Sequence, residues 1–432
     1  MWMPNRHSLL VVIVIAGLLA VALPVHAEDT ALDALIEEAL QNNHEVLMAQ
    51  SRAYTSKFRT PQASTLPDPM VMFGYQNEGW NRYNYGQMSG AQWMLSVSQM
   101  FPYPGKLALK EQLTIKDTEV LDAVVHSVRL KTAARVEELY YDLFLTYKNI
   151  ALIQDRVALF ARIEDAALSR YASGMGQQVD VLMAQTEKYM LIEKQEMERQ
   201  KMHAIEGMLN STLGRLDVNT PIARPRDISP TPYVRSMADA LMVAFETSPD
   251  ILSKVKEIEA TEVKVSIAQR EYYPDINVSA SVAKRGGEFE DMWSLTAAVN
   301  VPIFYKTKQR MAVSEARSML SESKHDVDAL KTMLASTIRE NYTMIQTADK
   351  LIELYKNALI PRTYQDFELA LSAYVTGKVE AITVISPLKS LIDYETLYFR
   401  QLVERQKAIA RIEAIAPFGG PATEGGKGGQ QK

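Results

Sequence analysis

The chain has no cysteine among its 432 residues. Thiol catalysis, disulfides, cysteine-ligated zinc and lipidation at an N-terminal cysteine are excluded at once. Basic charge is short as well: 47 Lys and Arg against 52 Asp and Glu leave a net charge of −5. A nucleic-acid partner, which needs a basic face, is therefore not expected. The 6 histidines show no ligand spacing, and no nucleophile triad or phosphate-binding loop occurs. No catalytic residue, resident metal or cofactor is expected. Beyond the N-terminus no run is apolar enough for a transmembrane helix.

What is present begins with Arg6, an apolar run from Leu9 to Leu23, Pro24 and the small-residue site Val25-His26-Ala27. The run is shorter than the roughly 20 residues a spanning helix needs. Residues 1–27 therefore read as a secretory signal peptide. An exported chain with no spanning helix can sit in a membrane only as β-strands.

The rest of the chain repeats itself. "ALIEEALQNNHEVL" (34–47) returns as "DALMVAFETSPDIL" (239–252), and "LPDPMVMFGY" (66–75) as "YPDINVSASV" (273–282). "VSQMFP" (97–102) pairs with "AVNVPIF" (298–304), and "RYASGMGQQVDVL" (170–182) with "AYVTGKVEAITVI" (373–385). Four matches in one order define a duplicated domain. The first repeat covers 28–218 and the second 235–416, joined by a proline-rich linker at 219–234. A Gly-rich, disordered tail is expected at 417–432.

Each repeat reads as helix, two strands and two long helices. In the first, an opening helix over about 31–60 precedes strands at 68–77 and 91–101 and helices at 104–172 and 177–213. In the second, strands at 275–284 and 292–302 precede helices at 307–373 and 379–413. Val136, Leu139, Leu143, Tyr147 and Ile150 mark an apolar stripe of coiled-coil type. Pro361 is expected to kink or break the long helix of the second repeat.

The strands alternate. Val71, Phe73 and Tyr75, then Trp93, Leu95 and Val97, face away from Ser96 and Ser98; Ile276, Val278, Ala280 and Val282 oppose Asn277, Ser279 and Ser281. Apolar on one face and small polar on the other, at nine or ten residues per strand, is the pattern of an outer-membrane barrel. Trp80, Tyr83, Tyr85, Trp93, Phe289 and Trp293 could form an aromatic girdle or cap. Four strands cannot close a barrel, and open edges are not tolerated in lipid. Several copies must therefore contribute, and three would give an even twelve. Met70, Met72 and Met94 fall opposite the apolar face; adaptable packing is the plainer reading of them, contact with soft cations the sharper one.

In these features the chain resembles the TolC-type outer-membrane efflux proteins. The resemblance rests on the duplication, "ALQNNHEVLMAQ", "LPDP", the Y-x-x-G-x-x-x-x-x-D pattern at Tyr171, Gly174 and Asp180, and "LNSTLG" (209–214). "FPYPGK" resembles the heavy-metal branch, which serves copper/silver or cobalt–zinc–cadmium pumps. The resemblance implies a mainly α fold in which four strands per chain build a trimeric 12-stranded barrel above a coiled-coil α-barrel. It implies an outer-membrane location with a periplasmic extension, a periplasmic adaptor, an inner-membrane RND-type pump, and no enzymatic activity.

The same resemblance puts a periplasmic gate at the two helix–helix turns. Asp180 matches the acidic tip position; its counterpart is Thr383, with Glu380 one turn earlier. Asp180 and Glu380 would ring the constriction with negative charge; the plainer alternative is that both serve helix N-termini. Tyr171, Gly174, Tyr374 and Gly377 mark the turns that would meet the adaptor. Pro102, Pro104, Gly105 and Pro302 form the corner between strand and long helix, with Pro104 suited to the helix's first turn. A secretion outlet for a protein substrate and a soluble periplasmic coiled-coil protein are the rival readings.

Overall fold

A computed structural model describes residues 30–228 and 232–417. The expected signal peptide and the tail from 418 onward lie outside the described residues. The helices are α1 (Thr30–Asn42), α2 (His44–Lys57), α3 (Arg59–Ser64), α4 (Lys106–Ala172), α5 (Gln178–Thr212), α6 (Met237–Thr247), α7 (Pro249–Arg270), α8 (Gln309–Leu354), α9 (Ile360–Val375) and α10 (Ala381–Ile415). The strands are β1 (Met70–Gln76), β2 (Gln92–Phe101), β3 (Ile276–Lys284) and β4 (Met292–Val299).

Two departures from expectation have local causes. The opening helix is three helices. Asn43 interrupts the first two, its Nδ2 donating to the Thr212 carbonyl at 2.7 Å. At the next break the Phe58 N–H tightens onto Thr55 O at 3.2 Å. At Pro361 the helical run continues, although its regular α geometry stops at Leu354 and resumes at Ile360. A π-helical turn over Tyr355–Leu359 precedes it, with Ile360 N–H reaching Tyr355 O, and places the proline in the first turn of α9. There its missing N–H leaves little unsatisfied.

The chain divides into two compact units. One comprises α1, the part of α4 from Thr132, α5, α9 and α10 to Ala410. Its apolar positions recur three or four apart, as periodicity requires, and are buried: Phe160, Ile163, Phe367, Leu388 and Leu391 form one cluster, Val136, Leu139, Leu143 and Leu209 another. Each such side chain contributes about 1.5–3 kcal/mol by leaving water. Ion pairs edge this core, among them Arg156–Glu395, Lys407–Asp142 at 3.0 Å and Arg215–Glu38 at 2.6 Å. The Arg215 guanidinium holds the Glu38 carboxyl below its ordinary value.

The other unit holds α2, α3, the sheet, α4 up to Lys131, α6, α7 and most of α8. A capping box starts α6: Ser236 Oγ accepts from Asp239 N–H at 3.1 Å, while Asp239 accepts from Ser236 N–H at 3.3 Å. Facing α4 and α7 exchange charges in a ring: Lys116 meets Glu259 at 2.8 Å and Glu119 at 3.0 Å, and Lys256 meets Glu119 at 3.0 Å. The four strands form one antiparallel sheet in the order β1-β2-β3-β4. Among the described residues no helix is long and apolar enough to cross a membrane.

Candidate functional site: the two-faced sheet, its corners and the helix turns

Register sorts the strand residues into two faces. Phe73, Leu95, Val282 and Trp293 lie on one side, with Leu95 opposite both Phe73 and Val282 and Val282 opposite Trp293. Val71, Val97, Ala280 and Leu295 continue it. The reverse side carries rows such as Met72–Ser96–Ser281–Ser294, in which Ser281 and Ser294 are bonded at 2.7 Å. Met70, Met72 and Met94 lie on this polar side, as the alternation predicts. The apolar face is exposed to its surroundings, Phe73 and Leu295 prominently so. Stacking of Phe73 on Trp93 (5.2 Å, 14°) and contact of Tyr75 with Tyr83 (4.9 Å) give it an aromatic end. Trp80 stands fully exposed in the adjoining loop, and Trp293 is largely exposed.

The corner after β2 is a tight, fully satisfied structure. Lys106 N–H bonds Tyr103 O at 3.0 Å across Pro104-Gly105, and Gly105 has φ +89°. Proline second and a positive-φ glycine third are what a type II turn requires. Pro104 thus belongs to this turn and stands outside the helix, which begins at Lys106. The Lys106 ammonium, only 5% exposed, meets Asp275 at 2.9 Å and Glu271 at 3.2 Å. Asp275 also accepts from the Tyr103 N–H at 2.8 Å. Burial pushes the Asp275 carboxyl up, but the Tyr103 N–H and Lys106 outweigh it and hold the group below its ordinary value. Tyr103 stacks on Tyr273 at 4.5 Å, with Arg270 over both rings. Sequence reasoning found the prolines but missed Asp275 and Lys106; the repeated "PD" before a strand was the available signal.

Around Pro302 the matching corner is open. Ile303 N–H folds back on Val301 O at 2.9 Å, and Val301, Ile303, Phe304 and Lys306 are exposed.

The two helix turns share one backbone design. Gly174 N–H bonds Tyr171 O at 3.0 Å and Met175 N–H bonds Arg170 O at 2.9 Å; Gly377 and Lys378 repeat this onto Tyr374 and Ala373, each at 2.9 Å. This is a Schellman cap, and both glycines adopt the left-handed conformation it needs, at φ +75° and +77°. The side chains differ. Tyr171 is exposed whereas Tyr374 is 0% exposed, so Tyr374 serves its turn from inside. Its hydroxyl donates to Asp180 at 3.5 Å, and burial, then the Asp180 charge, raises its pKa.

Arg170, which sequence reasoning did not single out, ties the two turns together. Its guanidinium lies over the Tyr374 ring at 4.5 Å and donates to Tyr374 O (3.0 Å), Val379 O (3.3 Å) and Met175 O (3.2 Å). Asp180 falls in the first turn of α5 and its N–H bonds Gln177 O at 3.2 Å; Thr383 repeats that bond onto Glu380 O at 3.1 Å. Glu380 and Thr383 are exposed. A cleft of about 300 Å³ between the turns is lined by Arg170, Asp180, Lys378 and Glu380, among others.

The profile of a family described as outer membrane efflux protein matches residues 35–215 and 241–386. No curated protein sequence matches significantly. Several solved structures share the fold. CusC superimposes with a TM-score of 0.77 at 13% identity, over 91% of this chain and 93% of its own. VceC from Vibrio cholerae gives 0.77 at 17%, over 90% and 98%. The CmeC outer membrane channel of Campylobacter jejuni gives 0.75 at 13%, over 91% and 87%. At such identities the likeness is one of fold.

Proposed function

This chain belongs to the outer membrane efflux protein family, and on that premise we propose that it is the passive duct of a tripartite heavy-metal efflux system. The observation that carries the reading is the sheet: apolar on one side, polar on the other, with four strands and two unpaired edges. Three copies close those edges into a twelve-stranded barrel whose polar side lines a water-filled lumen. The long helices carry cargo from a periplasmic adaptor fed by a proton-driven RND-type inner-membrane pump. The duct itself catalyses nothing; energy enters at the pump.

At the helix turns, Asp180 and Glu380 form an acidic constriction that favours cations, with Thr383 beside them. Exposed residues of the turns, Tyr171 foremost, meet the adaptor, while Gly174 and Gly377 set the backbone and Tyr374 and Arg170 hold the turns together. Metal cargo is supported by the "FPYPGK" corner. Reconstitution in planar bilayers should give stepwise cation-preferring currents, with selectivity lowered by Asp180→Asn plus Glu380→Gln. Deletion of the gene should sensitise cells to silver, copper, zinc, cobalt or cadmium. Drug sensitivity alone would reassign the cargo, and failure to secrete a protein would favour the secretion outlet.

A further inference from the structure

The open corner lacks a partner that the closed corner has, and the duplication identifies that partner. Both hairpins use one register: Val71 faces Val97 in the first, Val278 faces Ala297 in the second. Val71 therefore corresponds to Val278 and Val97 to Ala297. Carried along the chain, the same mapping equates Asp68 with Asp275, Lys306 with Lys106, Leu66 with Tyr273 and Ile303 with Tyr103.

Asp275 precedes β3 and holds the corner that follows the adjacent β2. Asp68 precedes β1 and Lys306 follows β4, and among the described residues these two strands have no neighbour on their outer edges. Asp68 and Lys306 are both exposed, and neither makes an ion pair among the described residues. Leu66 (43%) and Ile303 (69%) are exposed where their counterparts stack. The acid, the base and the apolar pair thus wait on opposite edges of one sheet, out of each other's reach.

We propose that β4 of one copy pairs antiparallel with β1 of the next in the register that β2 keeps with β3, and that Asp68 locks the seam against Lys306 of the neighbouring copy. The proposal rests on the multi-copy barrel reading and adds to it a register and a clamp. Translating the observed pairs Gln99↔Val278, Val97↔Ala280 and Ser98↔Ser279 places Val299 opposite Val71, Ala297 opposite Phe73 and Ala298 opposite Met72. The first two pairs join apolar face to apolar face, and the third joins polar to polar. A one-residue slip would turn every one of these side chains to the wrong face. A two-residue slip would keep the faces but separate Asp68 from Lys306, so the ion pair selects among the registers that patterning allows. Glu271 has Ser64 as its counterpart, so the seam clamp has one acid where the closed corner has two.

The absence of cysteine makes the test clean. Double variants Val71→Cys with Val299→Cys, and Met72→Cys with Ala298→Cys, are oxidised in outer-membrane fractions. Neighbouring antiparallel pairs alternate between about 5.5 and about 4.5 Å from Cα to Cα, and both spacings fall within disulfide range, so each double variant can cross-link. The expected result is a covalent trimer, with about tenfold less from Met72→Cys paired with Thr296→Cys or Asn300→Cys, whose Cα atoms are out of disulfide range. Stronger cross-linking of either shifted pair overturns the register. Separately, Lys306→Asp should lower the temperature at which the detergent-resistant trimer dissociates, and adding Asp68→Lys should restore it. An unchanged temperature, or no restoration, overturns the clamp. Planar-bilayer conductance and detergent-phase mass are read on the same samples. A conducting trimer cross-linked in a shifted register removes this proposal alone; a non-conducting monomer removes the barrel reading with it.

Discussion

The two corners that lead from strand to long helix occupy matching places in the sequence and have different surroundings. After β2 the chain buries Lys106 between Asp275 and Glu271 and stacks Tyr103 on Tyr273. After β4 the equivalent lysine and apolar residues are exposed. Each half of the chain has an acid before its first strand, Asp68 or Asp275, and a base after its second, Lys106 or Lys306. Only the pair at the centre of the four-stranded sheet meets within one chain. The difference between a closed and an open corner is therefore a statement about where the rest of the structure lies.

The largest effects should come from breaking the closed corner. Asp275→Ala leaves the buried Lys106 with Glu271 alone, a half-exposed acid at 3.2 Å, and should cost about 3 kcal/mol in thermal or denaturant unfolding. Asp68→Ala should leave the unfolding of the separated chain unchanged and act only on assembly. Equal losses from the two variants would dissolve the contrast.

At the helix turns the backbone is symmetric and the side chains are not. Gly174→Ala and Gly377→Ala should each cost about 1–2 kcal/mol, because each forces a Cβ into the left-handed region. Arg170→Ala should loosen both turns together, seen as faster amide exchange at Met175 and at Lys378. Faster exchange at only one turn would show that the arginine does not join them.

A smaller effect concerns acid. The Lys256 and Lys116 partners hold Glu119 below its ordinary 4.5, and Lys116 does the same for Glu259. A depressed carboxylate contributes stability that is complete above its unfolded value and is lost as pH falls through the folded one. Amide protection across residues 113–123 should therefore hold from pH 7 to about 4.5 and decline below it. Added salt should weaken it at neutral pH, since these charges are partly solvated. The smallest change expected is at Asp117, whose pKa burial raises despite Lys264 and Arg59 nearby. Its folded form is favoured at low pH and disfavoured as pH rises through the raised value, so Asp117→Asn should raise the melting temperature slightly at pH 7 and not at pH 3.

How much of this was legible in the sequence follows from how local each signal is. Strand faces were readable because alternation is a two-residue property, and register placed Val71, Phe73 and Leu95 together on one side. The glycine turns were readable because a left-handed cap has few substitutes for glycine. The segmentation at Asn43 was not, because it depends on a hydrogen bond to Thr212, far along the chain. Neither was the fate of Pro361, which a π-helical turn absorbs without ending the helical run. Tyr171 and Tyr374 look equivalent in sequence, yet only Tyr374 is buried, since packing against the neighbouring helices and Arg170 decides the matter. Arg170 itself carried no motif: its role exists only once two turns about 200 residues apart in the chain are brought together.

The central claim is that the chain is a channel completed only by further copies of itself. Native mass spectrometry of the protein extracted with detergent from outer membranes tests it most directly. Complexes of three chains are expected; a single chain per particle, or mature protein released without detergent, would contradict it.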